Sequence, residues 1–250
     1  MIKDERYDII LDILEREKYI SAQELAKRLF VSLPTIRRDL SELEKRNCII
    51  RSHGGAKKVD TEHVVAPLNF RKTINFSEKR KLCKAAAELV QDNDIIFIDS
   101  STTTLQMAEF LDERKNIIAI TNGITLASML VNKGIKTFCT GGEIFENSLA
   151  HFGSFAEDFI QKFNIDKLFF SCYGVNEKGM LTDPSLPETQ IRKVAISCSA
   201  KTVFLCDETK FSLSAPYNLV SINKLDYIIT NTDKASVYLN DNCDIKIIKI

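Results

Sequence analysis

What the sequence lacks narrows its class. No apolar run approaches the ~20 residues that a helix needs to span a bilayer, so no membrane partner is expected. The first residues, Met1-Ile2-Lys3-Asp4-Glu5-Arg6, mix charges and lead into no apolar stretch, so no secretory signal is expected either. The seven cysteines (48, 83, 139, 172, 198, 206 and 243) are odd in number and never stand as C-x-x-C. That argues against a disulfide frame or a zinc site, and for reduced thiols in a cytoplasm, packed as small hydrophobes. The three histidines, at 53, 63 and 151, are far apart, so no metal is expected. There is no Gly-x-Ser-x-Gly elbow and no P-loop. Net charge is also missing: 34 basic side chains balance 34 acidic ones.

The balance is not local. Residues 1–31 hold six Lys/Arg against seven Asp/Glu, whereas residues 32–58 hold seven against three. A neutral chain with one basic patch fits a small nucleic-acid module joined to a larger neutral domain. The total of 250 residues leaves room for both.

The patch coincides with a helix signal. Ser32 is a good N-cap, Pro34 falls in the first turn where a missing N–H costs nothing, and Ile36, Leu40 and Leu43 make one buried stripe. Arg37 and Arg38 then sit around the side, facing water or a polyanion. Before it, Tyr7, Ile10, Ile13 and Leu14 mark a first helix over Asp4–Glu17. Ser21 and Glu24 form a capping box for a second, with Ile20 placed to pack on Leu25. After it, Cys48–Lys58 carries a β-branched pair, Gly54-Gly55 and basic residues, the composition of a β-wing. Two short helices, a tight turn and a basic third helix are the parts of a helix-turn-helix.

In this order the segments resemble the DeoR family of bacterial transcription regulators. The matching residues are Arg6, Ile10, Leu14, Leu25-Ala26, Val31-Ser32, Thr35-Ile36-Arg37-Arg38-Asp39-Leu40, Leu43-Glu44 and Arg51-Ser52-His53-Gly54-Gly55-Ala56. The resemblance makes the third helix the recognition helix in the major groove of a double-stranded operator. Ser32, Pro34, Thr35, Arg37, Arg38, Arg51, His53, Lys57 and Lys58 are then the candidate DNA-binding residues. Thr35 with Arg37 or Arg38 suits base edges; Arg51, His53, Lys57 and Lys58 suit phosphates. Asp39 is expected to hold an arginine or cap local structure. Leu33-Pro34 stands where the family often has a polar pair, so the target sequence stays open.

The expected organisation is a winged helix-turn-helix over 1–58, a linker over 59–74 that contains Pro67, and an effector-sensing α/β domain over 75–250. Asn75-Phe76-Ser77-Glu78-Lys79 opens an alanine-rich helix that could relay the state of the second domain to the heads. From residue 95, short apolar strands (Ile95–Ile98, Ile117–Ile120, Lys136–Cys139, Lys167–Phe170, Thr202–Leu205, Tyr227–Ile229) alternate with helical stretches near 103–111, 124–132, 152–163 and 188–199. Such alternation predicts a mainly parallel sheet with helices on both faces and a ligand at the carboxyl ends of the strands.

Those ends carry Asp99-Ser100-Ser101-Thr102-Thr103-Thr104, Thr121-Asn122-Gly123, Thr140-Gly141-Gly142-Glu143, Ser171-Cys172-Tyr173-Gly174 and Asp207-Glu208-Thr209-Lys210-Phe211. Five consecutive hydroxyls at a strand-to-helix turn can cradle an anion. The same ends match the DeoR sensor domain, which looks like ribose-5-phosphate isomerase and the CoA transferases and binds a phosphorylated sugar or related metabolite. By that resemblance Ser101, Thr102, Thr103 and Thr104, with Ser100 beside them, would hold the phosphate, Lys210 would add positive charge, and Asp99, Asn122, Gly141 and Gly142 would shape the pocket. The family usually has glycine where Ser101 stands. His151 could reach the effector but is read first as an exposed helix cap, and Glu188 and Lys193 as structural or pocket-rim residues.

The expected function is a cytoplasmic DNA-binding regulator, a repressor of a sugar or sugar-alcohol operon, relieved by a phosphorylated sugar and needing no cofactor. At least a homodimer is expected, because repeated half-sites need two heads. Two alternatives stay open. An isomerase-like enzyme with a DNA head would need a positioned carboxylate after Tyr173-Gly174, where Glu177 alone stands. A constitutive DNA binder would use its second domain only to oligomerise.

Overall fold

A computed structural model describes residues 3–45, 49–52, 54–58, 68–72, 74–111, 116–240 and 243–250, and its contacts divide the chain into Met1–Ile74 and Asn75–Ile250. In the first unit, α1 (Lys3–Glu17), β1 (Tyr19–Ser21), α2 (Ala22–Arg28), α3 (Leu33–Lys45), β2 (Ile49–Ser52) and β3 (Gly55–Lys58) follow one another. Ser21 caps α2 by accepting from the Glu24 amide, the bond the capping box calls for. Tyr7, Ile10, Leu14, Leu25, Ile36, Leu40 and Leu43 interlock as one core. The helical spacing of these residues is thus what brings the three helices together. The strands pair antiparallel in the order β1-β3-β2, which makes the wing. A side chain at Gly55 would sit 2.3 Å from the Ile20 carbonyl oxygen, so glycine is what lets β3 close on β1. Strand β1 has three residues and no alternating pattern, so only its pairing with β3 reveals it.

Part of the expected linker is not extended: Leu68–Arg71 form one helical turn, α4, anchored by the buried Leu68. His53, Cys48 and residues 59–67 lie outside the described residues.

The second unit opens with α5 (Phe76–Glu88) and β4 (Ile95–Ile98), then a 3-10 helix over Thr104–Phe110. There follow β5 (Ile118–Thr121), α6 (Ile124–Asn132), β6 (Lys136–Cys139), β7 (Glu143–Phe145), β8 (Ala150–Phe152), α7 (Ser154–Ile160) and β9 (Ile165–Phe170). The rest comprises β10 (Gly174–Val175), β11 (Met180–Asp183), α8 (Leu186–Ser197), β12 (Ser199–Cys206), β13 (Tyr217–Ser221), β14 (Tyr227–Thr230) and β15 (Lys246–Lys249).

A seven-stranded sheet runs β15-β14-β12-β9-β4-β5-β6, parallel throughout. Alternation along β4 sends Phe97 to one face, with Ala156, Ile160, Ile191 and Ala195 of α7 and α8. Ile96 and Ile98 go to the other, with Leu82, Ala86, Leu126 and Leu130 of α5 and α6. The expected parallel sheet with two covered faces is therefore present. Two additions are hairpin β7–β8 and the small antiparallel sheet β10-β11-β13. Two expected helices differ. The stretch near 103–111 is a 3-10 helix, and the one near 152–163 starts at Ser154 because Phe152 pairs with Glu143 inside the hairpin.

Candidate functional site

On the first unit, α3 separates its faces sharply. Ile36, Leu40 and Leu43 are buried, and Asp39, 1% exposed, is gripped by Arg6 from α1. The Arg6 Nε and Nη2 atoms donate to its two carboxylate oxygens at 2.6 and 3.1 Å. This two-point ion pair fixes α3 against α1, as the expectation for Asp39 requires. Ser32 caps the helix: its Oγ accepts from the Thr35 amide at 3.3 Å and lies 2.8 Å from the Thr35 hydroxyl. Ser32, Pro34, Arg37 and Arg38 are exposed and Thr35 is half-buried. Among the described residues neither Arg37 nor Arg38 forms an ion pair.

The wing lies against the same helix. Arg51 on β2 donates from its backbone N to Glu44 Oε1 at 3.3 Å and from Nη1 to Ser41 Oγ at 2.9 Å. Its guanidinium is thereby laid along α3 rather than out at the wing tip. Lys57 is exposed on β3, and Lys58 ends that strand. Gly54 takes φ +83° in the turn between β2 and β3. The face therefore presents cations from a helix and a ribbon, the geometry that a major groove and its flanking phosphates can accept.

On the second unit, parallel pairing brings the ends of β4, β5, β6, β9 and β12 to one edge of the sheet. Asp99, at the end of β4, is the hub. Its Oδ1 accepts from the Ser101 amide at 3.2 Å and from the Thr104 hydroxyl at 2.7 Å. Its Oδ2 accepts from Arg192 Nε at 2.9 Å and from the Ser171 amide at 3.4 Å. Arg192, 3% exposed on α8, also donates to Asp183 Oδ2 at 2.8 Å and to Glu188 Oε2 at 3.3 Å. Burial lifts the Asp183 carboxyl to about 6 against the opposing pull of Arg192.

The hydroxyl loop does not stand open as a bare cradle. Ser101 and Thr104 bond each other at 2.9 Å, and the Thr104 amide donates to Ser101 Oγ. Thr102 accepts from Lys79 of α5 at 3.2 Å, and the Thr103 carbonyl accepts from the Cys83 thiol. Ser100 accepts from Asn122 Nδ2 at 3.2 Å. That amide also donates to the His151 carbonyl, while Asn122 Oδ1, in a residue 1% exposed, has no hydrogen-bond partner among the described residues.

Asp99, Ser100 and Asn122 line one cleft with Phe152, Glu188, Ile191 and Arg192. As it stands it has no room for a water-sized molecule, whereas small ligand pockets hold ~300 Å³ or more. Gly141 and Gly142, both at positive φ, line a neighbouring, wider depression with Thr140, Phe155 and Lys162. A side chain at Gly142 would meet the Phe152 carbonyl at 2.5 Å. Lys210 donates to the Cys172 carbonyl at the end of β9. Of the expected effector residues, Asp99, Ser100 and Asn122 thus line one hollow and Gly141 and Gly142 the other, whereas Ser101, Thr102, Thr103, Thr104 and Lys210 line neither.

Sequence reasoning missed Arg192, Asp183 and Lys79. Lys79 lies in the Asn75–Lys79 motif, which was read as a helix start and not as a source of buried charge. Glu188 is buried on Arg192, whereas Lys193 points outward. His151 is no helix cap: it lies in β8, with Nδ1 3.3 Å from Cys139 Sγ and its amide bonded to the Asn122 carbonyl. Glu177 is exposed at the turn between β10 and β11. Burial pushes the Cys139 thiol up, and that of Cys172 to about 12, so these sulfurs pack as neutral groups. No cluster of metal-ligating side chains occurs among the described residues, and no helix there is long and apolar enough to cross a membrane.

Comparison with known proteins covers both units. Residues 6–62 match the family model of the DeoR-like helix-turn-helix domain, and residues 74–232 match that of the DeoR C terminal sensor domain. The HTH-type transcriptional regulator FruR of Bacillus subtilis is 32% identical over 84% of each chain. The regulator GolR of Listeria innocua is 32% identical over 92% of this chain and 91% of its own. The glycerol-3-phosphate regulon repressor of Escherichia coli is 29% identical over 92% of each.

Proposed function

Because the chain belongs to the DeoR family of helix-turn-helix transcription regulators, we propose that it represses a sugar or sugar-alcohol operon and releases it on binding a phosphorylated sugar or polyol. The observation that carries the DNA-binding half is the exposed Arg37–Arg38 pair on a capped helix whose other face is locked to the core through Asp39. In this reading α3 enters the major groove, Thr35, Arg37 and Arg38 reach base edges, and Ser32, Arg51 and Lys57 hold phosphates. His53 and Lys58 would add phosphate contacts. Two heads on a homodimer or larger oligomer would span half-sites about 34–36 Å apart, one helical turn.

For the effector, support comes from the charged edge of the parallel sheet. Asp99, Ser100, Asn122 and Arg192 would meet the sugar, and the loop Ser101–Thr104 with Lys79 and Lys210 its phosphate. Gly141 and Gly142 give close backbone approach from β6. The cleft is too small as it stands, so binding must part Glu188 from Arg192, the longest of that guanidinium's three ion pairs at 3.3 Å. A released operator follows when the liganded state disfavours the DNA-bound spacing of the heads. A tenfold loss of affinity requires only ~1.4 kcal/mol between states. The name of the Escherichia coli relative favours a small polyol phosphate as the first compound to try.

The test is titration of the full-length protein onto labelled DNA from upstream of its own gene, with and without glycerol 3-phosphate and pentose and hexose phosphates. Retention on that DNA above random DNA, and its reversal by one phosphorylated compound but not by the unphosphorylated parent, is the expected result. Specific binding that no phosphorylated compound alters, together with no thermal shift, would favour a second domain that only oligomerises. Isomerisation of an added sugar phosphate, abolished by Glu177→Gln, would favour the enzyme.

A further inference from the structure

We propose that Pro34 makes the recognition helix read a thymine, through contact between the proline ring and the 5-methyl group of that base. This rests on the reading that α3 lies in the major groove.

The inward face of α3 is marked by Ile36, Asp39, Leu40 and Leu43, all buried. At about 100° per residue, Pro34, Arg38 and Ser41 fall on the opposite side. Most hydrogen-bonding groups at this end of the helix are already engaged within the head. The Ser32 and Thr35 hydroxyls bond each other, and the Ser41 hydroxyl donates to the Arg37 carbonyl while accepting from Arg51. Also facing outward are a pair of guanidiniums and, one turn nearer the helix start, the exposed ring of Pro34. That ring has no donor and no acceptor, and the residue has no backbone N–H.

The major-groove edges of the bases offer such a group one partner of its own kind. Guanine, adenine and cytosine present donors and acceptors there, whereas thymine adds a methyl group. Position adds a spacing rule. Pro34 precedes Arg37 and Arg38 by three and four residues, which at 1.5 Å per residue is about 4.5–6 Å along the helix. Successive bases on a strand rise about 3.4 Å. The thymine therefore lies one or two base steps from the base pair that an arginine of this helix contacts. Proline also suits the first helical turn by its fixed φ, but a role confined to starting the helix gives no sensitivity to a methyl group on DNA.

The experiment uses the full-length protein to select sites from a random duplex pool, then replaces each thymine of the selected site in turn by deoxyuracil, which removes only the methyl. The expected result is one position per half-site at which deoxyuracil weakens binding about threefold to fivefold, the loss of one buried methyl. That position lies within two steps of an invariant guanine. In Pro34→Ser the ratio falls to one there. No sensitivity to deoxyuracil at any position in the wild-type protein overturns the proposal, as does a Pro34→Ser protein that keeps the full ratio. A pool that never converges overturns the sequence-reading role of α3 and this contact together. A convergent site indifferent to the methyl overturns this contact alone.

Discussion

The two units put the same side chain to opposite uses. On the first, Arg37 and Arg38 stand in water with no ion pair among the described residues. On the second, Arg192 is out of water, held by Asp99, Asp183 and Glu188. A hydrated guanidinium costs almost nothing to keep and is free to exchange counterions for phosphates or base edges. A buried one is kept only by carboxylates in good geometry, and removing either side strands the other. The lesson is that the head holds its charge ready for a partner, while the sensor has spent its charge on itself. Three carboxylates on one guanidinium also leave that buried cluster with an excess of negative charge. The cluster is therefore where a ligand with its own donors or charge can change the fold's energy most. Arg6 and Asp39 form a control within the head, a buried pair in which one guanidinium holds both carboxylate oxygens.

The contrast is broken most directly by deleting the buried cation. Arg192→Met should cost about 3–5 kcal/mol, because three carboxylates lose their common partner. Urea unfolding of the second unit in the full chain reads this, and a loss below about 1 kcal/mol would mean that Arg192 behaves as a surface charge. The next effect is in pH. Asp183 holds its proton up to about 6 in the fold, against an ordinary 3.8. Between these values the folded chain keeps a proton that the unfolded chain has released, so stability falls as pH rises through the window and levels off above it. The slope is at most about 1.4 kcal/mol per pH unit. Asp183→Asn should flatten it. Urea midpoints at about pH 4.5 and about pH 6.5 for both proteins check the sign.

How legible each region was follows from the same contrast. The head could be read almost through, because its signals are local: a cap three residues from its partner at Ser21–Glu24, and a stripe at Ile36, Leu40 and Leu43. The strand β1 escaped, since three residues carry no period and its reason for being extended is Gly55, over thirty positions away. In the sensor the strands showed as apolar runs, but the cleft did not. Arg192 and Asp99 are 93 residues apart, and an arginine between Ile191 and Lys193 on a helix reads as a solvated face. Likewise the hydroxyls of Ser101 and Thr104 look free in sequence and are bonded to each other in the fold. His151 misled for a related reason: the helical stretch was read from near 152, and the hairpin pairing of Phe152 with Glu143 sets the boundary instead.

On the exposed side the changes act on binding and leave stability alone. Arg38→Ala should lower operator affinity about fivefold to a hundredfold with the unfolding midpoint unmoved. Lys57→Ala should weaken all duplexes alike and reduce the magnitude of the slope of log K against log salt by about one. Anisotropy titrations at several salt concentrations separate the two. Equal losses for Arg38→Ala on operator and random DNA would show that the head, too, uses its arginine only as charge.

The smallest expected effect tests whether exposure in the head always means readiness for a partner. Phe30, between α2 and α3, is 94% exposed and adopts φ +53°, a conformation that an aromatic residue rarely takes. Its ring gains nothing from burial there, so the backbone strain is uncompensated within the chain. Phe30→Asn places a residue that tolerates this conformation and should stabilise the head by about 0.5–1 kcal/mol. Hydrogen exchange at the Ile36 amide, which donates to the Ser32 carbonyl across the start of α3, should then slow by about twofold to fivefold. If operator affinity is unchanged, the exposed ring is strain that the head tolerates and Phe30 has no part in the groove. If affinity falls along with the strain, Phe30 belongs with Pro34 to an apolar rim of the DNA-binding face, and the head's exposed surface is chosen for DNA beyond its charges.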